Sequence, residues 1–423
     1  MGDSDGGTEV SRSKKQRNLT DFSQAFRGSS STKREGLAHV HCKTASSIMD
    51  TILTLLKEWR LDLSRFVSFG SDGASVMLGN NNEVGAPLKR EANPFVLQLH
   101  CVAHRTNLTV LSAAKHPECK DLSTEIDNVV NAVCFYFKKS PKRKEGLLHL
   151  QKELFDFKRM LKRYQKVCWL SRSEAICSVC DSLEAVLVFL RDSPHSEDHG
   201  VGKALYNKLH SFKMVYVLHF LADILKSLAA LSMVFQNVNV DVTSIGAIVN
   251  AEISNIRMTY LRERIDTNAF FMNEESGYHM IPDFGPDSGY LKGLSSQMRG
   301  NMFHSVELQR CRLGTDLEEA VSFQKNFAEA VANALKERFA DNDLVSAFRI
   351  LSPTQMPTQL VKLREWGQKE LDSLCAHFGE PKVLKGESQP PLLRSAAVKT
   401  EFYSFKSHAV SEFGELSFSL ASN

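Results

Sequence analysis

The chain has 423 residues, of which 43% are hydrophobic and 24% charged, enough apolar material for more than one core. Lysine and arginine number 52 against 49 aspartates and glutamates, a net charge of +3, so a nucleic-acid partner has to be argued from local clustering and not from the total. The nine cysteines form no paired framework, which excludes a disulfide scaffold and fits a reducing compartment.

Residues 1–35 are rich in Ser, Gly, Lys and Arg and read as a disordered tail with no secretory signal. Within it, Gln16, Leu19 and Phe22 resemble the short peptide that docks on sliding clamps. Ser23 stands where that peptide has its second aromatic, so a plain tail is the preferred reading. Ile48, Met49, Ile52, Leu53, Leu56 and Trp59 follow helical spacing over 44–60. "RFVSFG" (65–70) and "PFVLQLHC" (94–101) read as strands, with a helix-like segment between them. Leu122, Ile126, Val129, Val133 and Phe137 mark the next helix. This order fits part of an α/β sheet.

Beyond about residue 140 the strand signal fades. Helices are expected over 173–190, 209–236, 242–263, 316–338 and 359–377, with an irregular loop over 265–301. The apolar run 212–240 is broken by Asp223 and Lys226, so it reads as a buried helix and no membrane partner is expected. The fold class expected is α/β plus all-α. The divisions are a disordered tail at 1–35, a partial sheet domain at 36–172, a helical insertion domain at 173–382, and a loosely ordered tail at 383–423.

Four groups of residues could carry chemistry. Asp72 follows a short apolar run and precedes glycine; a strand-end carboxylate can be a metal ligand, or it can simply form a turn. Cys101 and His104 have the spacing of half a zinc site, without a matching second half nearby. Residues 138–172 hold twelve basic side chains against three acids, with Phe155, Phe157, Tyr164 and Trp169 among them. That mixture suits a surface that tracks a nucleic-acid backbone and stacks bases. Its candidate contacts are Lys142, Arg143, Lys144, Lys158, Arg159, Lys162, Arg163, Lys166, Trp169 and Arg172, with His104 and Arg105 upstream. The run "KKSPKRK" also has the composition of a nuclear-import signal, so the nucleus is the expected location, with the cytoplasm as the alternative. Cys177 and Cys180 lie inside an apolar helical pattern and read as core.

"SFGSDGASVMLG", "LHCVAHRTNL" and "KVCWLSRSEA", in this order and spacing, resemble transposases of the hAT superfamily, most closely the domesticated, zinc-finger-associated vertebrate type. The resemblance spans about 44–382. It implies an RNase H-like core interrupted by a helical insertion, and DNA transposition by an Asp–Asp–Glu triad with two magnesium ions. Asp72 matches the second aspartate of that triad. Cys101 and His104 match the family's C-x-x-H motif, and Trp169 the tryptophan that stacks on a flipped base. Cys168 stands where the family usually has arginine before that tryptophan.

The first triad aspartate has no counterpart on a strand: Asp3, Asp5, Glu9, Asp21 and Glu35 lie in polar sequence. Glu401, Glu412 and Glu415 lie in sequence that does not match the family's final glutamate segment. The expectation is therefore a transposon-derived nucleic-acid- or protein-binding protein, truncated at both ends and without catalysis. Asp72 would be a vestigial metal ligand and no cofactor would be required. The alternatives are an active two-magnesium transposase or nuclease, and a helical protein-interaction scaffold that could also self-associate.

Overall fold

The computed structural model describes residues 44–72, 84–164, 169–192, 199–236, 242–261, 289–308, 313–340, 343–352, 355–357 and 360–420. The tail at 1–35, with its clamp-like peptide, lies outside them. The described chain is mostly helical with three small sheets, a mixed α/β plus helical architecture.

Helix α1 (Ala45–Glu58) starts where Thr44 Oγ1 accepts the Ser47 amide at 3.3 Å, a side-chain cap. Strand β1 (Ser68–Ser71) pairs in parallel with β2 (Leu97–His100), and α2 (Gly85–Glu91) lies in the crossover that a parallel pair needs. Phe69 sits opposite Gln98 in this register, so both face the same side. On that side Phe69 packs with Met49, Val84 and Leu88 of the α1–α2 layer. Gly85 comes so close that a Cβ there would lie 2.3 Å from Gln98 Oε1. Leu97 faces the opposite way and joins a second cluster around Phe95.

The helical body begins with α3 (Val102–Ala114), α4 (Lys120–Lys139) and α5 (Pro141–Phe155). It continues through α6 (Trp169–Cys180), α7 (Leu183–Asp192), α8 (His199–Leu209), α9 (Phe212–Phe235) and α10 (Ile245–Tyr260). A short α11 (Tyr290–Gln297) leads into a meander of β3 (Met298–Arg299), β4 (Met302–Phe303) and β5 (Val306–Glu307). The long α12 (Leu313–Arg338) ends the body. One apolar core runs from Val110 to Phe339. Its axis is α9, the one described helix long and apolar enough to cross a membrane. Here α9 is mostly buried among other helices, and Tyr216 donates to Gln324 of α12 at 2.8 Å.

After α12 the chain returns to the sheet. Helices α13 (Asp343–Ala347), α14 (Leu360–Glu365) and α15 (Gln368–Phe378) come first. The hairpin of β6 (Lys382–Leu384) and β7 (Glu387–Gln389) follows, and then α16 (Ser395–Leu420). Ala347, Ile350, Leu371, Leu374, Phe378 and Phe402 pack around Phe95, and His377 Nε2 lies 3.2 Å from the Phe95 carbonyl.

Several expectations are corrected. The part of the expected tail over 383–408 is not loose, because Phe402 is buried and Lys406 is 6% exposed. The Lys406 ammonium reaches the carbonyls of Leu363, Arg364 and Trp366 at 3.2–3.4 Å, closing the C-terminal end of α14. The divisions at 172 and 382 also move. Helices α3–α5 share the helical body's core, while 343–378 packs on the sheet. The expected helix over 173–190 is two helices broken at Asp181 and Ser182, and 359–377 breaks at Trp366 and Gly367. Helices α5 and α8 are additions to the expected set. Of the loop expected over 265–301, residues 265–288 lie outside the described residues, and the rest is ordered from Gly289 onward. Gly289 has φ +150, and the Asp223 carboxylate lies 2.5 Å from where its Cβ would stand. That approach lets Asp223 accept the amides of Tyr290 and Leu291 at 2.8 Å, capping α11.

Candidate nucleic-acid interface

Asp72 follows directly on β1 and is exposed. The neighbouring strand end is stitched to it by the Cys101 amide donating to the Ser71 carbonyl at 2.7 Å. His100 hydrogen-bonds the Asp72 backbone. Burial first, and then the charge of Arg105, hold its pKa below the ordinary value. The His100 and His104 rings lie 5.6 Å apart across the start of α3. Cys101 is exposed at the position preceding α3 and gives that helix no side-chain cap. Among the described residues no group of three or more His, Cys, Asp or Glu side chains could hold a metal ion. Residues 73–83, which follow Asp72 directly, lie outside the described residues.

Arg105, expected as a nucleic-acid contact, is engaged within the chain. Its guanidinium lies 4.1 Å over the Phe339 ring and donates to the carbonyl of Arg338, the last residue of α12. Arg338 in turn donates to Ser112 of α3 at 2.7 Å. A cation at a helix C-terminus meets the carbonyls left without helical partners. Burial and the nearby Arg338 charge lower its pKa from the usual value.

Arg172 is also corrected. It is 2% exposed, with Nε donating to Asp127 at 2.8 Å and both terminal nitrogens buried without a partner. It shares the inward stripe of α6 with Ile176 and Val179, so it faces the core of the helical body. Lys166 and the side chain of Trp169 lie outside the described residues.

The remaining basic residues form a surface in two parts. The first is the turn between α4 and α5, where Ser140 Oγ accepts the Arg143 amide at 3.4 Å and Pro141 opens the helix. Lys138, Lys139, Lys142 and Lys144 are exposed there, while Arg143 lies 4.1 Å over the Tyr136 ring. The second is the extended strap after α5, entered through Asp156 in the left-handed conformation. Lys158, Arg159, Lys162 and Arg163 are exposed along it.

Three hydrogen bonds hold the strap's backbone. Buried Gln151 accepts the Arg159 amide at 2.8 Å and donates to Ser182 at 2.8 Å. Ser178 accepts the Lys162 amide at 3.0 Å, and the Cys134 thiol donates to the Lys162 carbonyl at 3.0 Å. Lys138 and Lys144 line the same crevice as Arg159, Met160 and Leu161, so turn and strap share one face. Two of the strap's cations already have partners: Arg159 pairs with Asp181, and Lys162 lies 3.2 Å from Glu174.

Gln151 and Ser178 are the site residues that sequence reasoning missed. Gln151 falls on the apolar stripe with Leu147 and Leu150, and a fully buried glutamine there signals a polar partner. No family model matches the chain, and no solved structure matches it.

Proposed function

We propose that this is a nucleic-acid-binding protein of hAT-transposase descent, which holds the DNA backbone along the turn and strap without cutting it. The observation that carries the reading is the strap: an exposed basic run whose backbone is held by Gln151, Ser178 and Cys134 beside the lysines of the α4–α5 turn. Cations on a fixed backbone lose little freedom when they meet phosphates. The descent is supported by the three motifs in series and by the path of the chain. It leaves a parallel strand pair at Cys101, builds a helical body and returns to pack on the same pair from Asp343. That path suits an RNase H-like core carrying a helical insertion.

The test is binding of a DNA hairpin across a salt series, followed by fluorescence anisotropy. With Lys142, Lys144, Lys158 and Arg163 all changed to Gln, binding weakens. The slope of log K against log salt becomes shallower by roughly 0.9 for each phosphate that the variant no longer neutralises. A wild-type protein that does not bind at low salt, or a variant with an unchanged slope, sinks the reading. A helical scaffold for protein partners, one of the alternatives, gives the first of those results.

A further inference from the structure

Beside the strap, lined in part by Phe155, Phe157 and Arg159, lies a cavity of about 380 Å³. Phe155 and Phe157 stand at its mouth, their rings stacked at 5.2 Å and 15°, and Phe303 of the meander forms part of its wall. Its polar lining includes two carboxylates, Asp181 and Glu184. Glu184, with its side chain 9% exposed, accepts the Ser305 amide at 3.3 Å and hydroxyl at 2.8 Å through one oxygen. Its other oxygen lies 3.6 Å from His304 Nδ1. Asp181 accepts the Tyr290 hydroxyl at 2.8 Å.

His219 is buried on the cavity's inner side, and its Nδ1 bonds the Val215 carbonyl at 2.7 Å. Burial pushes its pKa down to about 4, so the ring is neutral at physiological pH and adds no positive charge. Gln297 lies beside His219, and its Oε1 is buried without a hydrogen-bond partner.

One cation already sits at the mouth. The Arg159 guanidinium pairs with Asp181 and lies 5.9 Å from the Phe157 ring centre. The cavity thus combines two carboxylates, an unpartnered carbonyl oxygen and aromatic faces, with a guanidinium of this chain as a partial occupant. An anion entering would face both carboxylates at once.

We propose that this cavity is a binding site for a small organic cation, a primary ammonium or guanidinium carried on a short aliphatic arm. The carboxylates and Gln297 Oε1 would take its N–H groups, while Phe155, Phe157 and Phe303 would cover the arm and face the charge. The same chemistry could be presented by a free polyamine or by a lysine or arginine side chain of a peptide.

Titration calorimetry on the whole chain tests this with N-acetyl-lysine methylamide, spermidine and the uncharged N-acetyl-norleucine methylamide. The two ammonium compounds bind saturably, and the norleucine compound binds at least about tenfold more weakly. Tighter spermidine identifies a free amine as the natural source, and a tighter lysine derivative a peptide; either supports the site. Glu184→Gln weakens the ammonium compounds at least about fivefold. Because Glu184 also holds the meander, Arg159→Ala is the second variant: it alters an exposed side chain and frees Asp181. Arg159→Ala strengthens ammonium binding by roughly three- to tenfold, through removal of a competing charge. Equal binding of the norleucine compound, absence of ammonium binding up to about 1 mM (the weak end of the affinity scale), or weaker binding by Arg159→Ala overturns the proposal.

Discussion

Arg172 and Lys144 carry the same formal charge and have opposite fates. Lys144 is left in water, whereas Arg172 is buried with one carboxylate, Asp127, on its Nε. Taking a guanidinium out of water costs several kcal/mol, and the pair survives because its members are together. Removing Asp127 should therefore be worse than removing Arg172. Asp127→Ala is expected to lower unfolding stability by about 3 kcal/mol and Arg172→Met by clearly less, read from urea denaturation midpoints. Equal losses would mean that the carboxylate does not sustain the buried charge. Neither fate is written in the charge itself. The position of Arg172 one turn ahead of Ile176, on the inward stripe, is the legible signal, and net-charge counting hides it.

His219 gives a pH dependence whose sign follows from burial. In the fold it takes a proton only near pH 4, against an ordinary value of 6.5. Between those two pH values the unfolded chain binds more protons. The contribution of His219 to stability is therefore intact above about pH 6.5, declines as pH falls toward 4 and levels off below. Asp223, whose carboxyl is pushed upward by burial, works in the opposite direction. A stability curve would thus mix the two, and side-chain NMR separates them. The His219 ring should show no titration until about pH 4, and a midpoint near 6.5 would show that it is hydrated.

At the scale of elements, the strap at 156–164 is the least regular and the most informative. It has no helix or strand of its own, yet its backbone is tied at Arg159 and Lys162. Gln151→Ala removes the acceptor for the Arg159 amide and the donor to Ser182 together. The expected cost is about 2 kcal/mol of stability, since buried polar groups lose their partners. DNA affinity is expected to fall as well, although no basic residue is changed. If the variant bound DNA as tightly as wild type, a fixed strap would not be what the interface depends on.

How much of the elements can be read varies with their periodicity. Helices α1, α4, α9 and α12 show clear apolar spacing and lie close to where the sequence puts them. Helix α5 escapes notice because six charged residues stand among its four leucines and one phenylalanine, although Ser140 and Pro141 mark its start. In α16, phenylalanine and serine alternate through "FYSF" and "SFSL", which blurs the helical period. The cap on α11 depends on a residue far away in sequence, Asp223, and no local pattern announces such a partner.

At the scale of the molecule, the two bodies have different relations to the chain. The helical body is continuous in sequence, and its core is legible as a series of helices. The sheet body is discontinuous: 44–100 and 343–406 meet around Phe95, Leu371 and Phe402. Periodicity can show that 368–378 is a helix but not that it packs on a strand pair formed near residue 100. For that reason the end of the chain reads as a loose tail. The strand-end site is the clearest part of the sequence, through Asp72, Cys101 and His104. The strap and the cavity beside it depend on contacts between distant segments and are not visible there.

The contact of Arg105 with Arg338 and Phe339 joins the first turn of the helical body to its last residues. Entry and exit are therefore clasped side by side, and everything between them is, for the sheet, one closed excursion. Closing so long a loop costs only slightly more than closing a modest one, because the entropy grows with the logarithm of length. The guanidinium clasp thus lets the helical body change size while its entry and exit stay together, and Gln355, donating to Thr243 at 2.8 Å, is a second tie between that body and the sheet body.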